Sequence, residues 1–348
     1  MKHVLVLGAQ VPFVRGGAEI FNEVLVEQIN KIDGIKAELV QLPFKWYPEP
    51  QILNAIMAWR LLDLNEATGT LIDLVIPTKF PTYAVQHPNK VLWLVHQHRV
   101  LYDLEQSEYD GMHSQPDAKI IRNKIRELDN VFLQECQNVF TIAETVSNRL
   151  EKYNNFHAPV LYPPPKLVDH IIPGDYGDYI LYIGRLDKMK RVDLLIHALV
   201  GKETKAVIVG TGPESDRLQE LVIALDLQDN CRLTGYVSDQ ELLQHLAQAR
   251  AVFYAPVDED YGYATIEAFL AEKPVITCCD SGEVEKIVTR SQAGIVCNNT
   301  VAAVAEALAT VDSLSVRDLV GMGVRGRKFA EKICWDIIIQ RLVLDNLK

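Results

Sequence analysis

Two glutamates, Glu259 and Glu267, stand eight positions apart in the most informative stretch of the chain. The segment before them, 251–255, has the pattern of a short buried strand, whereas 265–271 has helical spacing. One carboxylate is therefore predicted on a loop at the carboxyl end of a strand, and the other in the first turns of the next helix. The backbone amides of 262–265 would open that helix and form an anion site.

A carboxylate beside an anion site suits a ligand that carries both hydroxyls and phosphate, such as a sugar nucleotide. The alternative interpretation is a solvated acidic loop that caps a core helix. The candidate ligand-binding residues of this stretch are Glu259, Gly262, Tyr263, Ala264, Thr265 and Glu267.

A basic loop follows another predicted strand, which ends at Gly184. Arg185 and Lys190 lie together on this loop, which leads into the next helix. Arginine offers a fixed fork of donors and lysine a mobile point charge, and together they suit a diphosphate. The alternative is a solvated loop whose cations pair with the nearby Asp187 and Asp193.

Two more glycine turns follow strands in the same half of the chain. Gly210 and Gly212 come after the strand 206–209, and Val237 follows Gly235 after the next strand. Ligands of open α/β sheets lie outside the carboxyl ends of the strands. Four loops are therefore predicted to converge on one crevice: 184–191, 210–213, 235–237 and 256–265.

In the first half of the chain, Gly16 and Gly17 open a predicted helix and would let a ligand approach the backbone closely. They begin eight residues after Gly8, where the first strand ends, whereas a dinucleotide-binding GxGxxG follows its strand directly. A nicotinamide-binding domain is therefore disfavoured. A flexible surface turn is the alternative.

His96 follows a predicted strand and would lie at the ligand-facing edge of the first sheet. A histidine in this place is either functional or a hydrogen-bonded loop residue. His96 and His98 have the spacing of a metal-binding pair, but the sequence offers no third ligand at a suitable distance. No metal site is therefore predicted.

Strand-like and helix-like runs alternate along the chain, which predicts βαβ units and parallel sheets in an α/β fold. The length of 348 residues suits two cores. Strands are predicted at Val4–Leu7, Ala37–Gln41, Leu71–Ile76, Val91–Leu94, Val139–Ile142, Val160–Leu161, Tyr179–Ile183, Ala206–Val209, Cys231–Thr234, Ala251–Tyr254, Pro274–Thr277 and Gly294–Val296.

A run of three prolines, 163–165, divides this pattern, because proline cannot continue a helix or lie inside a sheet. Two domains are predicted, 1–165 and 166–325. A last helix at about 326–348 either closes the second domain or returns to the first.

Composition restricts the classes of function. The net charge of −11 argues against nucleic acid as the main partner. The six cysteines show no CxxC or zinc-finger spacing and indicate reduced thiols of the cytosol. No apolar run is long enough to span a bilayer, and no signal peptide precedes the first strand. A cytoplasmic protein is therefore expected.

Together these residues resemble those of retaining glycosyltransferases with the GT-B fold, of the large family called glycosyltransferase family 4. The resemblance covers essentially the whole chain and includes segments similar to a bacterial subgroup, at 42–47, 79–81 and 93–99. The motifs that carry it are Gly16-Gly17-Ala18-Glu19, Val95-His96, 141–149, 184–190 and the spacing of Glu259 and Glu267.

The resemblance implies two Rossmann-like, doubly wound parallel-sheet domains that face a central cleft, with a C-terminal helix that crosses back onto the first domain. The first domain would hold the acceptor, a saccharide, a lipid-linked molecule or another small molecule. The second would hold the donor, a UDP- or GDP-sugar. Such enzymes generally need no metal or other cofactor and act in glycan, polysaccharide or glycoconjugate biosynthesis. Retention is attributed to front-face attack with the leaving phosphate as base.

The resemblance also implies roles for individual residues. Arg185 and Lys190 would hold the donor diphosphate and stabilise the leaving nucleotide. His96 would orient the transferred sugar, Glu259 would hydrogen-bond its hydroxyls, and Glu267 would hold the ribose. The catalytic residues would thus be His96, Arg185, Lys190 and Glu259. The other donor-binding positions would be Gly16, Gly17, Gly184, Gly210, Gly212, Val237, Gly262, Tyr263, Ala264 and Thr265.

The sequence departs from the family pattern at Ser281-Gly282-Glu283, where the family has two glycines, a proline and a glutamate. A run of basic residues is followed directly by acidic ones, which predicts a helix face exposed to solvent. Contact with a membrane is therefore unsupported. This run comprises Lys119, Arg122, Lys124 and Arg126. Acceptor contacts are expected from aromatic residues in loops around 43–50, 79–83 and 96–115.

Three other functions compete with sugar transfer. A nucleotide-sugar epimerase could share the fold, and a catalytically silent sugar-nucleotide-binding subunit could share the site. An NAD-dependent dehydrogenase is disfavoured by the first glycine loop.

Overall fold

The computed structural model describes residues 1–13, 16–105, 107, 110 and 117–347. The chain forms two compact units. Unit 1 comprises Met1–Pro163 and Cys334–Lys348, and unit 2 comprises Pro164–Ile333. The first change of unit therefore falls inside the run of three prolines, and the second falls after residue 333, later than the expected 325.

The strands and helices alternate along both units. The strands are β1 Lys2–Gln10, β2 Ile35–Pro43, β3 Glu66–Ala67, β4 Thr70–Leu71, β5 Leu74–Pro77, β6 Val91–Leu94, β7 Asn138–Thr141, β8 Tyr179–Ile183, β9 Lys205–Val209, β10 Cys231–Gly235, β11 Ala251–Phe253, β12 Val275–Cys278 and β13 Gly294–Cys297. The helices are α1 Gly17–Ile29, α2 Pro50–Leu61, α3 Ala118–Gln134, α4 Glu144–Asn154, α5 Val192–Ala198, α6 Ser215–Ala224, α7 Asp239–Gln248, α8 Tyr263–Leu270, α9 Glu283–Ser291, α10 Val301–Ser313, α11 Val316–Ala330 and α12 Trp335–Leu342. Single turns of 3₁₀ helix lie at Thr82–Ala84, Arg99–Leu101, Lys188–Lys190 and Leu344–Asn346.

The core of unit 1 is parallel sheet. Strands β2, β1 and β5 pair in that order, and β6 pairs with β7. A bridge between Val75 and Lys90 joins β5 to the residue before β6. Strands β5 and β6 are completely buried, which is the pattern of a parallel sheet whose two faces are covered.

Two predicted strands of unit 1 do not form continuous strands. The expected strand 71–76 is divided, because the Asp73 carboxylate turns to accept hydrogen bonds from Lys2 Nζ and the His3 N–H at 3.0 and 2.8 Å. Its first part, β4, pairs antiparallel with β3. The expected strand 160–161 is a single bridge at Val160, because the flanking prolines have no N–H to donate.

Unit 2 is built on a six-stranded parallel sheet with the order β10-β9-β8-β11-β12-β13. From β8 the following strands, β9 and β10, are added toward one edge of the sheet. From β11 the following strands, β12 and β13, are added toward the other edge. The strand order therefore reverses between β8 and β11. At such a switch point the loops after the two strands diverge and leave a crevice at the carboxyl edge of the sheet.

The predicted continuous helix at 326–348 was wrong. Helix α11 ends at Ala330, and α12 begins at Trp335 after an extended Cys334 with φ −134° and ψ 152°. Helix α11 packs on α8 in unit 2, whereas Trp335 contacts Trp93 in unit 1 edge to face, with ring centroids 6.3 Å apart. The helix is interrupted because its two parts are stabilised by packing in different cores.

Candidate functional site

The loops after β8 and β11 bring an ion pair to the switch point of unit 2. Lys190 Nζ lies 2.5 Å from Glu259 Oε2 and donates a hydrogen bond to the Tyr254 hydroxyl at 3.2 Å. The side chains of Lys190 and Glu259 are 18% and 22% exposed, so a ligand can reach both. Burial opposes the charge on Lys190, but the Glu259 carboxylate outweighs this effect and raises the pKa of the lysine. Lys190 is therefore a cation at neutral pH.

Arg185 is exposed on the same loop. The Tyr182 hydroxyl donates to its carbonyl oxygen at 3.0 Å, which fixes the backbone. Among the residues that the structure describes, the guanidinium has no hydrogen-bond or ion-pair partner. Its donors are available to an anion from solution.

The glycines of the strand-end loops pack against backbone. The Gly210 N–H donates to the carbonyl oxygen of Gly235 at 2.9 Å. A Cβ on Gly210 would stand 1.9 Å from the carbonyl oxygen of Gly184. One on Gly212 would stand 2.2 Å from that of Leu186. Contacts between the loops alone therefore require glycine at positions 210 and 212, before any ligand is considered.

Helix α8 begins after Gly262, which has left-handed φ and ψ of 85° and 73°. A Cβ there would stand 2.6 Å from Val284 Cγ2. Tyr263 and Ala264 supply N–H groups of the first turn, which have no acceptor inside a helix. The Thr265 N–H already donates to the carbonyl oxygen of Gly262 at 3.0 Å. The Thr265 hydroxyl is completely buried and lacks a hydrogen-bond partner in the described part of the chain.

Glu267 lies in the second turn of α8 and is half-buried. Burial raises the pKa of its carboxyl to about 7, with a further contribution from the Asp239 carboxylate. No group in residues 1–13, 16–105, 107, 110 and 117–347 donates a hydrogen bond to Glu267. A carboxylate without a donor in such surroundings is unfavourable, and perturbed groups of this kind cluster at functional sites.

The loop after β10 leads to a residue whose charge acts on the same carboxylate. Val237 is half-buried in this loop, beside the exposed Tyr236. Asp239, which begins α7, pairs with Lys166 at 2.6 Å and is the residue whose charge acts on Glu267. The Val237 loop is thus linked to Glu267 through the charge of Asp239, two residues further along the chain.

Sequence reasoning missed Arg191, the neighbour of Lys190. Its guanidinium donates to the carbonyl oxygens of Ala255 and Pro256 at 2.8 and 2.9 Å and forms a bidentate pair with Asp280. The only sequence feature that pointed to Arg191 was its position directly after Lys190. Nothing in the sequence showed that only the first of them pairs with Glu259.

The departure from the family pattern lies directly against the Glu259 loop. Ser281 and Glu283 are completely buried. Gly282 has a φ of 64°, and a Cβ there would stand 2.5 Å from the carbonyl oxygen of Glu259. The Glu283 N–H donates to that oxygen at 3.0 Å. The segment 281–283 therefore supports Glu259 through its backbone.

In unit 1, Gly16 is the N-cap of α1 and Gly17 its first residue. The Gly16 N–H donates to Glu19 Oε2 at 2.9 Å, and Lys79 Nζ donates to the other carboxylate oxygen at 2.9 Å. The side chains of Glu19 and Lys79 are each 10% exposed. Burial opposes the charge on Glu19, but Lys79 and the Gly16 N–H outweigh it and hold the pKa below its ordinary value. This pair, to which the sequence gave no role, fixes the start of α1. Residues 14 and 15, which precede it, lie outside the described residues.

His96 lies just after β6, half-buried, with Nδ1 2.9 Å from the carbonyl oxygen of Gln97. The Phe80 N–H donates to the carbonyl oxygen of His96 at 3.4 Å. Since Phe80 follows Lys79, the ion pair connects the Gly16 and His96 segments at one edge of the unit 1 sheet.

The neighbouring His98 has a different environment. Its ring stacks on Phe80 with centroids 5.5 Å apart, and its Nε2 is buried with no hydrogen-bond partner within the described ranges. Burial lowers the pKa of His98 to about 4, so this ring is neutral at physiological pH. Of the predicted acceptor loop 96–115, positions 106, 108, 109 and 111–115 lie outside the described residues.

The predicted solvated basic face on α3 was wrong for Arg122. Its side chain is 6% exposed and binds Glu105 and Asp110 at 2.8 and 3.0 Å. Arg126 also turns inward and donates to the carbonyl oxygen of Leu101 at 2.6 Å. The carboxylates that draw these arginines inward come from the segment before the helix, whose fold the sequence did not indicate.

Neither a metal cluster nor a membrane-crossing helix is found among the described residues. No group of three or more His, Cys, Asp or Glu side chains there is arranged to hold a metal ion. No helix there combines the length and the apolar character that crossing a bilayer requires.

Residues 173–318, which lie within unit 2, match the family described as Glycosyl transferases group 1. The chain is 28% identical over 167 residues to the O-antigen chain mannosyltransferase RfbU of Salmonella typhimurium. That alignment covers 46% of this chain and 47% of RfbU. The chain thus spans about half the length of this curated relative.

Two solved structures resemble the chain over nearly its whole length. Sucrose-phosphate synthase from Thermosynechococcus elongatus has a TM-score of 0.72 at 16% identity, and the match covers 98% of this chain and 97% of that one. Anabaena HepE, in complex with UDP and glucose, has a TM-score of 0.70 at 15% identity and 99% coverage of both chains. The predicted GT-B fold of two Rossmann-like units is confirmed.

Proposed function

We propose that this protein is a retaining, metal-independent glycosyltransferase of family 4 that moves a sugar from a UDP- or GDP-sugar to a saccharide, lipid-linked or other small acceptor. The observation that carries the proposal is Glu267. Its half-buried carboxyl group lies in the second turn of α8 and has no hydrogen-bond donor among the residues that the structure describes. The paired hydroxyls of a ribose are donors of the kind that this carboxylate lacks.

The positively charged side chains of the unit 2 loops are suited to stabilise a nucleoside diphosphate as it leaves the sugar. This leaving group gains negative charge as its bond to the sugar breaks. The cationic Lys190 and the exposed Arg185 would balance that charge, and the Tyr263 and Ala264 amides would add their dipoles. Because Glu259 keeps Lys190 charged before the donor arrives, no proton needs to be taken up when the diphosphate binds.

Glu259 would contact the transferred sugar. Its carboxylate already accepts from Lys190, and its second oxygen could accept from a sugar hydroxyl. No group in the site is required to act as a covalent nucleophile if the leaving phosphate accepts the acceptor's proton. This is the basis for proposing retention by front-face attack.

The remaining predicted residues have supporting roles in the proposal. Gly184, Gly210 and Gly212 shape the strand-end loops, and Val237 lies where a nucleoside could contact backbone. In unit 1 the proposal keeps Gly16 and Gly17 as contacts to the donor and His96 as the residue that orients the sugar.

The named relatives support a nucleotide sugar as the donor and glycan synthesis as the setting. RfbU is an O-antigen chain mannosyltransferase, and HepE is seen with UDP and glucose. For this chain we propose a cytoplasmic role in polysaccharide or glycoconjugate biosynthesis.

The proposal is tested by thermal shift with UDP- and GDP-sugars, followed by product analysis with a labelled donor and saccharide acceptors. We expect one nucleotide class to stabilise the protein, since a ligand that binds only the folded state raises its melting temperature. We expect transfer that keeps the anomeric configuration and continues in EDTA. Glu259→Ala and Lys190→Ala should each lower turnover at least about 100-fold, whereas Glu220→Gln, an exposed control on α6, should not.

Each alternative gives a different result. Epimerised donor formed without an acceptor would indicate an epimerase. Donor binding without any turnover, across a broad acceptor panel, would indicate a binding subunit. An inverted product would contradict retention alone.

A further inference from the structure

Arg191 joins the three loops that follow β8, β11 and β12. From its place after β8, it donates through Nε to the carbonyl oxygen of Ala255 at 2.8 Å and through Nη2 to that of Pro256 at 2.9 Å. Its Nη1 and Nη2 atoms also form a bidentate pair with Asp280, at 2.8 and 2.7 Å. These bonds use four of the five N–H donors of the guanidinium, and the side chain is only 15% exposed.

The backbone at Arg191 is in the left-handed region, with φ 49° and ψ 42°. This conformation is unfavourable for a residue with a side chain, and it persists only where the surroundings determine it. The hydrogen bonds of the guanidinium supply those surroundings. The turn that they stabilise lies directly between Lys190 and α5, so it sets the direction from which Lys190 enters the site.

Asp280 and the residues that follow it also hold the loop that bears Glu259. The carbonyl oxygen of Asp280 accepts from the Asp258 N–H at 2.9 Å, and that of Glu259 accepts from the Glu283 N–H at 3.0 Å. Asn299 Nδ2 holds the Asp280 carboxylate from the other side at 2.7 Å. The loop that bears Glu259 is therefore fixed at 255–256 by Arg191 and at 258–259 by the segment to which Arg191 is paired.

We propose that Arg191 is the positioning residue of the donor site, acting through Lys190 and Glu259 without touching the ligand. This inference rests on the proposed function. A displacement of about 1 Å of groups that stabilise a transition state can lower the rate about 100-fold. Lysine cannot replace the arginine, because a single ammonium cannot form a planar bidentate pair and also hold two carbonyl groups.

Arg250 provides a matched control in the same unit. It also donates to backbone carbonyl oxygens, those of Val311, Asp312 and Leu314, at 2.8–3.1 Å. Its side chain is 17% exposed, close to the value for Arg191. It lies at the start of β11, away from the strand-end loops. Arg250→Lys therefore measures the stability cost of losing a carbonyl-binding guanidinium, without the effect on Lys190 and Glu259.

The experiment compares Arg191→Lys, Arg191→Gly and Arg250→Lys by melting temperature, affinity for UDP, GDP, uridine and guanosine, and steady-state transfer. Glycine accepts the left-handed backbone, so Arg191→Gly loses the hydrogen bonds but not the fold of the turn. Both Arg191 variants should lose about 30- to 100-fold in kcat. Their affinity for the nucleoside of the preferred class should change less than about twofold, because Glu267 and the Val237 loop are untouched. Arg250→Lys should have a lower melting temperature than the wild type but the same kcat.

A double variant separates positioning from general weakening. Because Arg191 acts in part through Glu259, adding Arg191→Lys to Glu259→Gln should lower kcat by a smaller factor than Arg191→Lys does in the wild type. Fully multiplicative losses would overturn the proposal. So would an Arg191→Gly protein that folds and turns over at the wild-type rate.

The outcome also distinguishes this inference from the proposed function. Wild-type protein that is folded but binds neither UDP nor GDP, nor any nucleotide sugar, would refute the proposed function. Wild-type transfer that is lost in Glu259→Gln and retained in both Arg191 variants would refute only the positioning role.

Discussion

Glu19 in unit 1 and Glu267 in unit 2 both lie in the first two turns of a helix that glycine opens, yet their surroundings are opposite. Glu19 accepts hydrogen bonds from the Gly16 N–H and Lys79, and its pKa is held below the ordinary value. Glu267 has no donor among the described residues, and its pKa is raised to about 7. The protein completes the first site with its own groups. Under the proposed function, it leaves the second for hydroxyls of the donor.

The two carboxyls also differ in how they make stability depend on pH. Glu19 contributes stability above its unfolded pKa of 4.5, and that contribution is lost as the pH falls through the lower folded value. Glu267 does the reverse, because its folded form binds a proton more tightly than the unfolded chain. Its contribution is present below pH 4.5 and is lost as the pH rises toward 7. At neutral pH the folded state thus gains stability from the ionised Glu19 and loses stability at Glu267.

The largest expected effect is on the stability of unit 1. Glu19→Ala leaves the Lys79 ammonium buried without its partner and should lower the free energy of unfolding by about 3 kcal/mol. All four tryptophans of the chain, 46, 59, 93 and 335, belong to unit 1. Tryptophan fluorescence during urea unfolding therefore reports on this unit.

Glu38 gives the control for that experiment, since its pair with Lys36 is well exposed, at 65% and 57%. Glu38→Ala should lower the free energy of unfolding by less than about 1 kcal/mol. The double variant Glu19→Ala/Lys79→Met should recover part of the loss, because no buried charge remains. Equal effects of Glu19→Ala and Glu38→Ala would remove the contrast between Glu19 and Glu267.

The next effect concerns nucleotide affinity. Glu267→Gln replaces the proposed charged acceptor of ribose hydroxyls by a neutral amide and should weaken binding of the preferred nucleoside diphosphate by about 2 kcal/mol, or about 30-fold. Isothermal calorimetry with UDP and GDP measures this change. Glu220→Gln should leave the affinity unchanged. An unaltered dissociation constant in Glu267→Gln would mean that the missing donors are not those of the ribose.

A smaller effect is the pH dependence of that affinity. Under the proposed function the ionised form of Glu267 accepts from the ribose, so binding below pH 7 requires the carboxyl to lose its proton. The affinity should therefore fall as the pH drops below 7, by up to about tenfold per pH unit, and level off near the affinity of Glu267→Gln. In Glu267→Gln the profile should be flat over this range, apart from the titration of the phosphate itself. Nucleosides without phosphate give the cleaner measurement. A profile shared by both proteins would assign the titration to another group.

Local sequence patterns predicted much of the framework but not the pairings within it. Strands β6 and β8 have the predicted bounds, 91–94 and 179–183, because short apolar runs that end at loop signals are typical of buried parallel strands. The Lys190–Glu259 and Lys79–Glu19 pairs join residues 69 and 60 positions apart. Such partners depend on the order of strands in the sheets, which no local pattern contains.

The errors have the same origin. The continuous helix at 326–348 had suitable local spacing, but its parts pack in different units. Arg122 was expected in solvent, whereas Glu105 and Asp110 bind it inside. In both cases tertiary contacts decided between structures that the sequence allowed equally.

The smallest expected effect is a gain in stability when the proposed ribose ligand is removed. At pH 8 wild-type Glu267 is ionised in the folded protein without a donor, whereas glutamine carries no charge to desolvate. At pH 5 the folded carboxyl is protonated, so the two side chains are similar. Glu267→Gln should therefore be more stable than wild type by about 1 kcal/mol at pH 8 and no more stable at pH 5, once partial exposure is allowed for.

Circular dichroism follows this change, since unit 2 has no tryptophan. Glu220→Gln should show no such pH dependence. A Glu267→Gln protein that is less stable than wild type at pH 8 would show that the folded chain, like Glu19, already supplies this carboxylate with a stabilising partner.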